Sequence, residues 1–208
     1  MSKSKSSSGW MQRHISDQYV QQAQRDGYRS RASYKLLEIQ ARDRIIKPGM
    51  SVIDLGCAPG GWCQVLTNIV GEKGRIVGVD LLPMDPVEDI EFIEGDFTED
   101  DVLEQILALF ENSRVGLVVS DMAPNISGIK SADTTKSIYL AELGLDLCNQ
   151  ILAPKGSFLV KIFQGEGFDQ FLKEMRQVFT KVSTRKPKAS RPKSREMYLL
   201  GTGYKGAK

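Results

Sequence analysis

Residues 51–62 read Ser-Val-Ile-Asp-Leu-Gly-Cys-Ala-Pro-Gly-Gly-Trp, an apolar strand that runs straight into a glycine-rich turn. Gly56, Gly60 and Gly61 carry no Cβ, so the backbone there can come close to a ligand. Residues 62–70 then read as a helix, which puts the turn between the carboxyl end of a strand and the amino end of a helix. Open α/β sheets bind nucleotides at that place. The plain alternative is a tight turn with no ligand, and the motif alone does not separate the two.

The spacing discriminates better between kinds of ligand. A dinucleotide fingerprint needs Gly-x-Gly-x-x-Gly, whereas the position two after Gly56 is Ala58, followed by Pro59. With no pyrophosphate cradle, an Asp-x-Gly turn suits a nucleoside without phosphates, such as S-adenosylmethionine, better than NAD.

Outward from this stretch the pattern alternates strand and helix, which predicts a parallel sheet covered on both faces. Strands are expected at 75–80, 90–94, 115–120 and 157–163, with helices at 99–110, 135–152 and 167–179. In the helix at 135–152 the expected apolar stripe is Leu140, Leu143, Leu147 and Ile151. Residues 181–185 and 196–202 read as two more strands with no room for a helix between them, so they should pair antiparallel. The fold class is therefore α/β, Rossmann-like, with seven strands, mostly parallel, and an antiparallel hairpin at the edge. Before the central strand, residues 14–25 and 33–44 read as two helices broken at Gly27, and Lys47-Pro48-Gly49 is a turn. Residues 1–9 are polar, Ser/Lys-rich and expected to be disordered. The reading is a basic, partly disordered extension at 1–27 and a single domain at 28–208.

Composition limits the function. The chain has 208 residues, enough for one full α/β core but not for a second catalytic domain. Cys57, Cys63 and Cys148 form no Cys-x-x-Cys pair, so neither a disulfide framework nor a zinc site is indicated, and a reducing compartment is expected. No long apolar run or signal sequence points to a membrane or to secretion. The net charge of +2 conceals a division: +6 over residues 1–50, −13 over 51–154 and +9 over 155–208. Such ends can be solvated faces. Flanking an acidic nucleotide-binding middle, they point instead to a polyanionic substrate, with nucleic acid favoured.

Three acids, Asp80, Asp96 and Asp121, fall at or just past predicted strand ends. Asp80 stands near the offset from Gly56 at which a Rossmann-like acid holds ribose hydroxyls. Asp96 and Phe97 would serve an adenine, although Asp96 taken alone is equally well a helix cap. Trp62 is either a cofactor contact or plain core. Lys161 lies inside the apolar run Ser157-Phe-Leu-Val-Lys-Ile-Phe, where an unpaired ammonium is unfavourable, so it needs a partner; the plain alternative is a lysine snorkelling from a strand end. The only histidine, His14, sits in the basic N-terminal region and reads as a surface residue.

Six segments together resemble the FtsJ/RrmJ family of ribose 2′-O methyltransferases. They are Arg31-Ala-Ser-Tyr-Lys-Leu, Asp54-Leu-Gly-Cys-Ala-Pro-Gly-Gly-Trp, Gly95-Asp-Phe, Ser120-Asp-Met-Ala-Pro-Asn, Phe158-Leu-Val-Lys-Ile-Phe and Ser194-Arg-Glu-Met-Tyr-Leu. The resemblance runs from about residue 28 to 204. It implies the class I S-adenosylmethionine-dependent methyltransferase fold and the catalytic set Lys35, Asp121, Lys161 and Glu196. It also implies cofactor contacts at Gly56, Gly60, Trp62, Asp80, Asp96, Phe97 and Asp121, with no metal. Similarity to the bacterial rRNA-modifying members implies a cytoplasmic monomer acting on a uridine of 23S rRNA in the large ribosomal subunit. Methylation of tRNA or an mRNA cap, and RNA binding without catalysis, are the competing readings.

The residues support a hydroxyl acceptor, because no aromatic follows Pro124 to stack a target base and a lysine pair is present instead. Residues 125–133, polar and glycine-containing, are either a mobile loop over the site or a plain connection. The loop 186–195, with Arg25, Arg29 and Arg31, should line the RNA path and grip phosphates without reading sequence.

Overall fold

The computed structural model describes residues 17–111, 113–191 and 194–206. The expectations for residues 1–9 and for His14 lie outside the described residues, and the helix expected at 14–25 runs from Gln18 to Asp26, because the Asp17 side chain caps it by accepting from the Tyr19 amide at 3.1 Å.

Seven strands form one sheet: β1 (Ser51–Leu55), β2 (Arg75–Asp80), β3 (Ile90–Glu94), β4 (Val115–Ser120), β5 (Leu152–Phe163), β6 (Phe179–Arg185) and β7 (Glu196–Tyr204). Their order is β3-β2-β1-β4-β5-β7-β6. The first five run parallel, and β7 lies antiparallel between β5 and β6. Among the described residues the helices are α1 (Gln18–Asp26), α2 (Ser33–Asp43), α3 (Gly61–Val70), α4 (Asp100–Leu109), α5 (Lys130–Ile151) and α6 (Phe168–Val178).

Strand alternation divides the core into two layers. Ile53 and Leu55 of β1, Val118 of β4 and Phe158, Val160 and Ile162 of β5 face α4, α5 and α6. Val52, Leu117, Val119, Leu159, Tyr198 and Leu200 face the other way, onto Leu36 and Ile39 of α2 and Trp62, Val65 and Leu66 of α3. The expected seven-stranded sheet with helices on both faces is therefore the observed one. Helix α1, in the expected extension, rests on the domain: Ala23 is buried against Tyr34 and Ala189, and Tyr34 donates a 2.6 Å hydrogen bond to Asp26.

Three local expectations need correction. Helix α5 begins at Lys130 instead of 135, because Asp133 in its first turn accepts from the Ser127 amide (2.8 Å), the Ser127 hydroxyl (2.7 Å) and the Gly128 amide (3.3 Å). Residues 127–129 are thus pinned by these bonds, and 130–133 are helix. The inward stripe of α5 is only partly the expected one: Leu147 and Ile151 are buried as expected, together with Ile138, Ala141, Gly144, Leu145 and Cys148, whereas Leu140 and Leu143 are only half-buried. Strand β5 starts at Leu152, paired with Val115, and resumes at Ser157 opposite Leu117 after an irregularity that contains Pro154 and Lys155 at φ 67°.

Candidate active site

The glycine turn is built from β1 outward. Gly56 and Cys57 amides both donate to Val79 O, at 2.8 and 3.2 Å, which ties the turn to β2. Gly56 has φ 77°, and a Cβ on it would lie 2.7 Å from Met122 Cγ and 3.0 Å from the Met122 backbone. Only glycine meets both demands, the left-handed conformation and the close approach of the chain after β4.

Beside the turn, at the carboxyl ends of β1 to β4, lies a cavity of about 440 Å³. Gly56, Asp80, Asp96, Phe97 and Asp121 are all in its wall, with Leu81, Leu82, Met122 and Leu140. Asp80 braces two loops: Oδ2 accepts from the Ala58 amide at 2.8 Å and Oδ1 from the Leu82 amide at 2.9 Å. Asp96 accepts from the Thr98 amide (2.9 Å) and hydroxyl (2.7 Å); these bonds hold its carboxyl below the usual range. The helix cap considered for Asp96 falls instead on Glu99, which makes no side-chain capping bond.

Gly60 and Trp62 stand apart from the other expected cofactor contacts, since neither lines this cavity. At φ 102°, Gly60 packs its Cα face toward Val87, Met84 and Arg29. Trp62 is 3% exposed, donates from Nε1 to Ala32 O at 2.8 Å, and packs on Tyr198 with ring centroids 5.8 Å apart.

A second cavity, of about 480 Å³, opens next to the first, and Ala123 contributes to both walls. Arg31, Lys35, Lys161 and Arg191 line it, with Glu196, Ser194, Ile126 and Phe163. Between the cavities the four side chains of the expected catalytic set converge. Lys161 Nζ lies 3.1 Å from Asp121 Oδ1 and also donates to Asp121 O. Lys35 Nζ lies 2.9 Å from Glu196 Oε1 and 3.9 Å from Asp121 Oδ1.

The topology explains how positions so far apart in sequence meet. On β5, Lys161 sits opposite Tyr198 of β7, and Phe163 opposite Glu196. Because β7 runs antiparallel, its first residue reaches the rim where β4 and β5 end. Lys161 alternates with the apolar residues that face α5, so it points toward α2, which brings Lys35 down from above.

Sequence reading missed Tyr198, which is fully buried and donates a 2.6 Å hydrogen bond to Asp121 Oδ1. Lys35 Nζ stands 5.7 Å above its ring. The available signal was its place in the Ser194-Arg-Glu-Met-Tyr-Leu segment, two residues after Glu196. Burial pushes the Asp121 carboxyl up, but Lys161, Lys35 and the Tyr198 hydroxyl together outweigh it and hold the group below the usual range. Glu196 has the same balance: burial raises it, and Lys35 overcomes that. Burial and the two carboxylates push Tyr198 well up.

Asp54, on β1 behind the turn, is a different case. It is fully buried, Oδ1 has no hydrogen-bond partner, and Oδ2 accepts only a 3.4 Å bond from Cys63 Sγ. Burial pushes its carboxyl well above the usual range.

A family model for FtsJ-like methyltransferases matches residues 28–204. This chain belongs to that family. It is 58% identical over 206 residues to the ribosomal RNA large subunit methyltransferase E of Pseudomonas fluorescens, covering 99% of each chain. The protein of the same name from Marinobacter nauticus is 56% identical over 207 residues, with both chains fully covered. Among solved structures, a Plasmodium falciparum protein assigned as a ribosomal RNA methyltransferase superposes with a TM-score of 0.77 at 30% identity, over 86% of this chain and all of that one.

The expected RNA-facing residues of this FtsJ-like chain divide. Arg191 and Arg31 line the second cavity, with Arg31 also ion-paired to Asp17. Arg29 is a clamp, because its guanidinium donates to Asp85 O (2.6 Å), Pro86 O (2.7 Å) and Pro59 O (3.3 Å). The basic loop after β6 is held on α2, where Glu38 accepts from the amides of Lys188 (2.7 Å) and Ala189 (2.8 Å). Among the described residues, no group of three or more His, Cys, Asp or Glu is placed to hold a metal ion, and no helix is long and apolar enough to cross a membrane.

Proposed function

We propose that this protein transfers a methyl group from S-adenosylmethionine to the ribose 2′-hydroxyl of a uridine in 23S rRNA of the large ribosomal subunit. The observation that carries the reading is the contrast between two adjoining cavities. The first is lined by three carboxylates, Asp80, Asp96 and Asp121, and by no lysine or arginine, whereas the second is lined by four cations. A phosphate-bearing nucleotide would be repelled by the first. A cationic amino-nucleoside suits it in charge, and the volume is within the ordinary range for a small-molecule site. The exposed Leu81 and Leu82 on its rim, 59% and 62% accessible, supply apolar surface for a ligand to cover. On this reading Asp80 takes the ribose hydroxyls and Phe97 the face of the base, and both line the cavity.

When bound, S-adenosylmethionine supplies an electrophilic methyl on a sulfonium. The chain's residues must then bring one hydroxyl into line and remove its proton. Arg31 and Arg191 hold the RNA phosphates in the second cavity. Lys161, after its ammonium has released a proton to solvent, accepts the 2′-hydroxyl proton at Nζ as the oxygen takes the methyl from the sulfonium, and Asp121 orients that amine through its carboxylate and its backbone carbonyl. Lys35 and Glu196, paired with each other, fix the ribose beside it. Positioning of this kind supplies a large part of the barrier reduction. The names of the close relatives support the large-subunit substrate over tRNA or an mRNA cap.

All four side chains come from one polypeptide, which suits a monomer. The reading also has the protein acting in the cytoplasm, with 28–208 as the catalytic domain and 1–27 as its basic extension. The test is incubation with radiolabelled S-adenosylmethionine and, in parallel, unmodified large subunits, free 23S rRNA, tRNA and capped mRNA. Label is expected in 23S rRNA, at a single uridine whose 3′ linkage resists alkaline cleavage. Label confined to tRNA or cap, or absent throughout, overturns it.

A further inference from the structure

Five large apolar side chains are well exposed among the described residues, and Leu81 and Leu82 belong to the cofactor cavity. Two of the other three, Ile126 and Ile129, lie on the short turn between β4 and α5, at 72% and 63% exposure. That turn is not loose chain. Asp133 is only 3% exposed, and its carboxylate bonds are made to Ser127 and Gly128, while Ile129 N donates to Ser127 Oγ at 3.2 Å and Ile129 O accepts from Asp133 N at 3.0 Å. The bonds to Ser127 hold the Asp133 carboxyl below its usual range. A buried carboxylate thus fixes the backbone of residues 127–129, and the isoleucines at 126 and 129 on either side of Ser127 and Gly128 are turned to solvent.

Ile126 is also part of the wall of the cationic cavity, together with Arg31, Lys35, Lys161 and Arg191. Whatever brings phosphates to the two arginines and a hydroxyl to Lys161 meets an aliphatic surface at the same place. For a nucleic acid, the part that matches an aliphatic surface is the face of a base. A base in a continuous stack has both faces covered, so apolar side chains reach one only by entering the stack.

We propose that Ile126 and Ile129 form an aliphatic wedge that packs against the base next to the acceptor nucleotide and keeps the acceptor unstacked, with its ribose at Lys161. The proposal rests on the RNA-methylating function argued above. The wedge is sequence-tolerant, since every base offers an apolar face, and it separates two tasks. The cations hold the strand, and the isoleucines open it.

The test uses the full-length protein and a stem-loop of the rRNA substrate with 2-aminopurine immediately 3′ of the acceptor nucleotide, a base whose fluorescence rises on unstacking. Wild type is expected to raise the fluorescence several-fold on binding. The double variant Ile126→Ser/Ile129→Ser changes only exposed side chains. It is expected to bind S-adenosylhomocysteine as wild type does and to bind RNA with the same salt dependence, but to lose the fluorescence rise and at least tenfold in kcat/KM. The proposal is overturned if the double variant keeps wild-type turnover, or if wild type methylates this RNA without any fluorescence rise. Failure of wild type to methylate any RNA removes the function and the wedge together. That outcome is distinct from the two in which methylation proceeds.

Discussion

Lys161 is held by two oxygens of one residue, the Asp121 carboxylate and carbonyl, in a wall shared with Lys35 and Glu196. A base and a fixed positive charge would use that position differently, and substitution separates them. Lys161→Arg keeps the charge but cannot give up its proton near neutrality. If Lys161 takes the hydroxyl proton, Lys161→Arg and Lys161→Met should both lose about 10²–10⁴-fold in turnover while binding S-adenosylmethionine normally; substantial activity in the arginine variant would make the residue an electrostatic anchor. Two other carboxyls give opposite pH signatures. Asp121 is depressed in the folded state, so its contribution to stability is present above the unfolded value of about 3.9 and is lost as pH falls below it. Asp54 is raised, so its contribution is present below about 3.9 and is lost as pH rises toward its folded value. In thermal melts from pH 3 to 8, Asp121→Asn should flatten the acid side of the profile, and Asp54→Asn the decline above about pH 4. Lys161 was legible from sequence because a lysine amid Phe158, Leu159, Val160 and Ile162 is a chemical anomaly. Tyr198 was not, because a tyrosine in an apolar strand looks like core until its hydroxyl is seen on Asp121.

At the level of elements, strands with uninterrupted apolar runs were readable to the residue, β2 and β4 among them, because burial on both faces leaves no other use for such a run. Ends set by long-range bonds were not. The start of α5 depends on Asp133 reaching Ser127 and Gly128, and the mostly polar residues 130–134 give no periodic signal of it. The helices at 62–70 and 99–110 came out within a residue or so, since their apolar spacing reports directly on the packed face. The turn joining β1 to α3 is the element on which the acid-lined cavity depends, and Gly56 is its tightest point. Gly56→Ala forces a side chain into φ 77° and places a Cβ 2.7 Å from Met122 Cγ. The left-handed conformation alone is worth about 1–2 kcal/mol. The variant should therefore lose at least that much stability, seen as a lower denaturant midpoint, and S-adenosylmethionine affinity measured by calorimetry should fall as Met122 and Asp121 shift. An unchanged midpoint and affinity would mean that the turn can relax without moving the chain after β4.

Over the whole molecule the charge division of the sequence becomes a division of surfaces. The acidic middle, −13 over residues 51–154, supplies β1 to β4 and so the carboxylate-lined cavity, while the basic ends supply Arg31 and Lys35 from one side and Lys161 and Arg191 from the other. The ends come together because β7 inserts beside β5 and because Glu38 of α2 holds the basic loop through the amides of Lys188 and Ala189. On the proposed function, RNA would be attracted to one cavity and repelled by its neighbour, which would keep phosphates off the site for a cationic cosubstrate. This arrangement predicts a steep salt dependence for RNA binding and almost none for cofactor binding. For a single strand each neutralised phosphate contributes about −0.7 to the slope of log K against log salt. Replacing Lys188 and Arg191 by alanine, both exposed and neither in the catalytic cluster, should therefore make the slope shallower by about one to two for RNA, while S-adenosylmethionine titrations at the same salt concentrations superpose on wild type. If instead the slope is unchanged and only the affinity offset moves, the loop contacts RNA by shape, and the cations that release counterions must be sought elsewhere, beginning with Arg25 on α1.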